Sequence, residues 1–258
     1  MDRDSLDGGR WARRFHPVDG AEFRLLCFPH AGGSASFFFP LSQELGRRST
    51  SPVDVLAVQY PGRQDRQAEE NISDMSVLAD QAAEALLPCT EGPFALFGHS
   101  MGATLAYEVA RRLQDAGRGA AALFVSGRRA PHRVADDGLH NLSDGEIIDD
   151  IRALDGTGSA VFGAAELMRM ILPAIRADYT AAETYEHVPG TELTCPIHAF
   201  TGLTDPRVPV AELHHWSAHT RAAFDLLVFP GGHFYLSEHQ SAVSRSIVER
   251  LTERTVRA

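Results

Sequence analysis

The sequence predicts an α/β protein, a mostly parallel central sheet flanked by helices and interrupted once by a helical insertion. Three observations carry that prediction. Short apolar runs, each closed by Gly or Pro, recur along the chain. Helix-like stretches alternate with them, the rhythm of a parallel sheet covered on both sides. One long interval, 131–194, holds helical patterns but no good strand.

The apolar runs are RLLCFP (24–29), VDVLAVQY (53–60), FALFGHS (94–100), AALFVSG (121–127), PIHAFTG (196–202) and DLLVFPG (225–231). They are rich in Leu, β-branched and aromatic residues, as expected of strands buried on both faces. Helices are expected around 73–87, 102–116, 209–221 and 236–254. Within the interval 131–194, Ser143 and Glu146 have the spacing of a capping box and open one helix. A second follows in AAELMRMILPAIRADYTAAETY, where Leu167, Ile171, Ile175 and Tyr179 form one apolar stripe. Pro173 inside that pattern is expected to kink it. An insertion of this length within a single domain, 1–258, is expected to be a lid over a site. The competing reading is a second helical layer that packs and does not move.

At 258 residues the chain is long enough for a sizeable core, and 44% hydrophobic with 22% charged residues is ordinary globular composition. A net charge of −10 gives no support to nucleic-acid binding and disfavours adsorption to an anionic membrane. The first residues, MDRDSLDGGRWARRF, lack the apolar core of a secretory signal, and no stretch approaches the roughly 20 apolar residues that span a bilayer. Cys27, Cys89 and Cys195 are odd in number and far apart, which suits reduced thiols in a cytoplasm better than disulfides. Their spacing is wrong for zinc. His215 and His219 are spaced like metal ligands but lack the Glu of H-E-x-x-H, so no metal is expected. No internal repeat stands out.

The chemistry points to Gly98-His99-Ser100-Met101-Gly102, a G-x-S-x-G elbow between an apolar strand and a helical pattern. Glycines there admit the tight corner that exposes a serine Oγ, and the following helix points its N-terminus at the site. A polar turn is the bland alternative. A serine needs a base, and the base an orienting carboxylate, in the chain order Ser, acid, His. His233 follows Gly231-Gly232 after the last strand and is the candidate base; a helix-capping histidine is the alternative. Asp205 lies after the preceding strand and is the candidate acid, although Asp205-Pro206 could merely start a turn. The loop one strand earlier, GRRAPHR, offers no carboxylate, and Asp225 begins its strand at the wrong end. Oxyanion donors are expected from the backbone N–H of Met101 and of Ala31, with Gly32 as fallback, because FPHAGGS follows an early strand.

Six segments in this order resemble the α/β-hydrolase type II thioesterases of polyketide and nonribosomal peptide assembly lines. FPHAGGSA (28–35) resembles their oxyanion segment and QYPGRQDR (59–66) their P-G-R loop. GHSMGA (98–103) resembles their elbow and SGRRAP (126–131) the start of their lid. LPAIRADYTAAETY (172–185) resembles their lid helix, and FPGGHFYL (229–236) their histidine loop. The likeness runs from about Arg24 to Leu251; the first fifteen or so residues carry no mark of it, and GLTDPRV is less acidic than the corresponding loop of many relatives.

The resemblance implies the α/β-hydrolase fold and an editing enzyme that hydrolyses acyl thioesters on the phosphopantetheine arm of acyl or peptidyl carrier proteins. It implies no cofactor beyond the arm the substrate carries; from charge and cysteine usage no nucleic-acid or membrane partner and a cytoplasmic location are expected, and a monomer is the default. Carrier proteins are usually acidic, so docking calls for local positive charge; Arg63, Arg66, Arg128, Arg129 and Arg133 are the candidates on loops at the sheet's C-terminal edge, against the alternative of solvated surface arginines. Rival functions are a carboxylesterase or lipase, a medium-chain fatty-acyl carrier-protein hydrolase, an acyltransferase, or a hydrolase fold kept as a ligand receptor or docking subunit.

Overall fold

The computed structural model describes residues 9–47, 52–133, 137–155 and 165–253. Strands β1 (Ala12–Arg13), β2 (Phe23–Phe28), β3 (Val53–Val58), β4 (Phe94–His99), β5 (Ala122–Ser126), β6 (Ile197–Gly202) and β7 (Phe224–Phe229) make one seven-stranded sheet in the order β1-β3-β2-β4-β5-β6-β7. Every neighbouring pair is parallel except β1 with β3. The expected strands are all present as β2 to β7. The order reverses between β2 and β4, and the carboxyl ends that flank this point carry the site, as open α/β sheets require.

Side chains alternate between two cores. Leu26, Phe28, Leu96, Leu123, Val125 and Ile197 face one, which α2 (Met75–Leu86) and α3 (Met101–Asp115) cover with Leu78, Ala82, Leu105 and Val109. Leu25, Cys27, Ala95, Phe97, Phe124 and Phe200 face the other, covered from α1 (Phe39–Gly46) and from α7 (Gln240–Glu253), which follows the one-turn α6 (Tyr235–Glu238), by Leu41, Leu45, Val243 and Ile247. Burial on both faces explains the unbroken apolar runs. β7 departs from the expectation of two buried faces: Phe224 to Leu227 are half-buried and Val228 is exposed, because the strand is a sheet edge.

Three elements differ from the sequence expectation. β1 has two residues and too little pattern to be seen. α1 opens with Pro40 in its first turn and is only eight residues long, so its stripe is too short to stand out from the aromatic run Phe37-Phe38-Phe39 that leads into it. The stretch expected as a helix near 209–221 is a run of 3-10 turns over Val210–His219.

The insertion supplies α4 (Asp144–Asp155) and α5 (Ala165–Glu183). The capping box forms: the Ser143 N–H donates to Glu146 Oε2 at 2.8 Å and the Glu146 N–H to Ser143 Oγ at 3.4 Å. α5 continues through Pro173 as one helix. Ile175 and Tyr179 of the apolar stripe join Ile147 and Leu172 in a small core of their own, and Ile171 and Ala31 pack against it. The Leu167 side chain lies outside the described residues. The insertion thus rests on the loop after β2 that holds Ala31.

Candidate active site

Ser100 sits at the corner between β4 and α3 with φ 55° and ψ −123°, a conformation that L-residues rarely adopt. The corner is held by the Ser100 N–H to the Ser126 carbonyl at 2.8 Å and the Ala103 N–H to the Ser100 carbonyl at 2.9 Å. Both flanking glycines are sterically required. A Cβ on Gly98 would lie 2.1 Å from the Gly102 carbonyl oxygen, and one on Gly102 would lie 2.1 Å from that of Phe28. Sheet, elbow and helix therefore meet without room for a methyl group, and the first turn of α3 directs its positive end toward the serine.

Asp205 and His233 come from the loops after β6 and β7. The Asp205 Oδ1 accepts the backbone N–H of Arg207 at 2.8 Å and of Val208 at 3.3 Å, which fixes the carboxylate. Its Oδ2 lies 2.8 Å from His233 Nδ1. Both residues are buried. A carboxylate only accepts, so Nδ1 carries the hydrogen and Nε2 is left with the lone pair that a base needs. Gly202 allows the two loops to touch, since a Cβ there would lie 2.1 Å from the Gly232 carbonyl oxygen.

Ser100, His233, Met101 and Ala31 line one cavity at the sheet's carboxyl edge, roofed by Leu154, Tyr179, Ala182 and Glu183 of the insertion. Within the loop after β2, the Gly33 N–H donates to the His30 carbonyl at 2.9 Å and the Gly32 N–H to Asp178 Oδ2 at 2.7 Å. Gly32, the fallback oxyanion donor, is thus already engaged, whereas Ala31 lines the cavity.

A chain with an elbow serine and a carboxylate-held imidazole at the edge of an α/β sheet has relatives among known proteins. Residues 23–251 match the Thioesterase domain family. The chain is a member of that family. Its solved relatives include the type II thioesterase BorB from the borrelidin biosynthetic cluster, at 51% identity and TM-score 0.88 over 94% of this chain and 98% of that one. RedJ, a thioesterase from the prodiginine biosynthetic pathway in Streptomyces coelicolor, is 39% identical with TM-score 0.83, covering 91% of this chain and 89% of that one. Thioesterase PikA5 of Streptomyces venezuelae is 45% identical over 249 residues, 96% of this chain and 87% of that one. The chain therefore has the α/β-hydrolase fold of the thioesterases and is a thioester hydrolase.

The arginines of this thioesterase do not form the expected rim. Arg63 is buried and pairs with buried Asp178 of α5. Arg66 is buried too; it pairs with Glu69, donates to the Gln59 carbonyl at 2.8 Å and lies 4.4 Å over the Trp11 ring. Neither is available at a surface, because each neutralises a carboxylate that ties loops together. Arg128 is inside the cavity, donating to Thr104 Oγ1 at 3.2 Å and the Ala182 carbonyl at 2.9 Å. Burial, then neighbouring Arg129, lowers its pKa to about 10, which leaves it charged at neutral pH. Arg129 also lines the cavity, 3.9 Å from Asp137, and Arg133 is exposed beside Glu212.

Sequence reasoning missed the aromatic shell of the thioesterase's site. The His99 ring lies 5.1 Å from that of His233, and His30 packs at 4.6 Å against Phe37 and at 4.9 Å against Phe234. Burial, then the nearby His233, lowers the His30 pKa to about 3 and holds that of His99 well below the usual imidazole value. Both rings are therefore neutral at pH 7. The signal was present, since His99 is the variable residue of the elbow and His30 directly precedes Ala31. Also missed were Asp178, inside the R-A-D segment, and the link from Arg207 of the acid loop to Asp150 of α4. His215 is exposed while His219 is buried against Tyr107 at 3.0 Å; 3-10 turns put residues four apart on different faces. Among the described residues no group of three or more His, Cys, Asp and Glu is arranged to hold a metal ion, and no helix is long and apolar enough to cross a membrane.

Proposed function

We propose that this enzyme edits assembly-line intermediates, hydrolysing acyl thioesters from the phosphopantetheine arm of acyl or peptidyl carrier proteins. The reading rests above all on His233: its Nδ1 is held by Asp205 at 2.8 Å, and it shares a cavity with a serine on a strained elbow. The relatives support the substrate class. BorB is a type II thioesterase of a biosynthetic cluster and RedJ belongs to a biosynthetic pathway. Among curated proteins, the one titled "Probable cadicidin biosynthesis thioesterase", from Streptomyces griseus, is 45% identical over 242 residues; this chain spans 66% of its length.

In this reading Ser100 Oγ attacks the thioester carbonyl carbon as His233 Nε2 takes the hydroxyl proton. The N–H groups of Met101 and Ala31 receive the developing oxyanion. The C–S bond breaks, and the pantetheine sulfur leaves with the proton from His233; a thiol of pKa about 8.5 needs little help to leave. Water then attacks the acyl-serine, giving its proton to His233, and the carboxylic acid and free Ser100 result. Asp205 keeps the imidazole in the tautomer that accepts at Nε2. No cofactor beyond the substrate's own arm takes part. The enzyme acts as a monomer beside its carriers in the cytoplasm. Arg129 at the cavity is the arginine left for the carrier, and Arg128 meets oxygens of the arm or acyl chain.

Intact-protein mass measurement on an acylated carrier protein tests the reading. Wild type is expected to strip the acyl group and Ser100→Ala to leave it, with a matched p-nitrophenyl ester turned over less efficiently. Cleavage of the ester with the carrier untouched would point to a carboxylesterase. Arg129→Ala is expected to slow release from the carrier several-fold and leave the ester rate unchanged; equal loss on both would remove its docking role.

A further inference from the structure

The loop that offers Ala31 is suspended from both sides. The Tyr60 hydroxyl donates to the Pro29 carbonyl at 2.9 Å, and the Ala35 N–H donates to Gln59 Oε1 at 2.9 Å. Between these anchors the loop meets α5 at two points. A Cβ on Gly32, whose φ is +73°, would lie 2.4 Å from Ile175 Cγ1. One turn further along α5, Asp178 Oδ2 accepts the Gly32 N–H at 2.7 Å.

Asp178 has no exposed surface, and its other oxygen faces the buried guanidinium of Arg63. Arg63 is itself fixed, donating to the Pro61 carbonyl at 2.5 Å while its own carbonyl accepts from Gln59 Nε2 at 3.1 Å. Burial pushes the Asp178 carboxyl up, and Arg63 pulls it back. A buried pair of this kind rarely beats apolar packing in stability, so stability alone does not account for it.

We propose that Asp178 is a positioning residue that completes the oxyanion hole from the insertion, clamping the Gly32 N–H so that the adjacent Ala31 N–H is held toward the reacting carbonyl. Arg63, against the other carboxylate oxygen, favours the charged form of the clamp. The role rests on Ser100 being the nucleophile. It also narrows the expectation of a lid: α5 is the seated part of the insertion, because lifting it would free Gly32 and take the hole apart. A hole is effective only when its donors are fixed before charge develops.

The test uses R63M/D178L, which removes both charges at similar volume, alongside D178N, which keeps an oxygen for Gly32. Thermal unfolding identifies folded variants. Kinetics on a p-nitrophenyl ester are then compared with the affinity for phenylboronic acid, which becomes tetrahedral on serine, and for benzoate. The expected result for R63M/D178L is a kcat lower by about a hundredfold with KM within threefold. Boronate affinity should fall in parallel and benzoate affinity should not. D178N should recover kcat to within about tenfold of wild type, as a restored acceptor predicts. A folded R63M/D178L with wild-type kcat and boronate affinity would overturn the proposal. Should that variant not fold, D178E keeps the charge and moves the oxygen by one methylene; an unchanged kcat in D178E would overturn it equally. Full activity of Ser100→Ala would instead overturn the nucleophile assignment, and the clamp with it.

Discussion

Two buried carboxylates organise this site, and they are built differently. Asp205 lies in a loop at the sheet edge, its Oδ1 taken by two backbone N–H groups and its Oδ2 by His233 at 2.8 Å. Asp178 lies in a helix of the insertion, with Gly32 N–H on Oδ2 at 2.7 Å and Arg63 beside Oδ1. An imidazole exchanges protons near neutrality; a guanidinium does not. One carboxylate therefore orients a group that must change its protonation during each turnover, and the other, set against a guanidinium, holds backbone geometry. Proton transfer is assigned to the sheet's loops, and shape to the insertion.

The sharpest way to break this division is to neutralise Asp205. In Asp205→Asn the amide is close to isosteric, but its NH₂ can donate to Nδ1 and so place the hydrogen of His233 on Nε2. The expected loss is about 10⁴ in kcat with an unchanged fold, the scale seen when a triad imidazole is held in the wrong tautomer. Single-turnover acylation measured alongside circular dichroism checks it; a loss under tenfold would mean Asp205 is not the orienting acid.

A smaller effect is expected on the other side. In Gly32→Ala the methyl group meets Ile175 and the φ of +73° becomes strained. The loop must shift or α5 must yield, at a cost of about 1–3 kcal/mol in stability. kcat should fall by about ten- to a hundredfold as the Ala31 N–H moves, with KM little changed. Steady-state kinetics together with a urea titration separate the two effects. A kcat equal to wild type would show that the loop tolerates displacement, and the contrast between the two carboxylates would lose its catalytic meaning.

The proton-handling half was far more legible in the sequence than the shape-holding half. Ser100, Asp205 and His233 each follow a strand, and the strands announce themselves as apolar runs, so chain order and turn glycines sufficed to propose them. The same reasoning led to Ala31, which lines the cavity. Asp178 was not: it sits mid-helix in an insertion, and its partners Gly32 and Arg63 lie 146 and 115 positions away, which no local pattern reports. Arg63 and Arg66 were misread as surface charge because burial of an arginine depends on a partner remote in sequence, Asp178 for Arg63 and the Trp11 ring for Arg66, whose carboxylate partner Glu69 is local and says nothing of burial. α1 and β1 were too short to carry a period.

The imidazole that Asp205 holds can be separated by mutation from the rings packed around it. Three rings gather near the nucleophile, but His30, with a pKa near 3, and His99, held well below normal, stay neutral across the working range. Above pH 6.5 His30 is neutral in the folded and the unfolded chain alike and contributes no pH dependence. Below it the unfolded chain binds a proton at His30 that the folded chain refuses until about pH 3. Unfolding therefore takes up a proton, and stability falls with pH by at most about 1.4 kcal/mol per unit from this residue. His219, also lowered to about 3, and His99 add to the slope in the same direction. His30→Phe keeps an aromatic ring against Phe37 and Phe234 while removing the titration. Urea titrations between pH 6.5 and 5 should show a shallower decline in the variant. Its pH profile of kcat should stay in place, because His233 and its carboxylate are untouched. A profile that moved with His30→Phe would mean the three rings titrate as one unit, and the separation between proton handling and fixed geometry would have to be drawn around the whole shell.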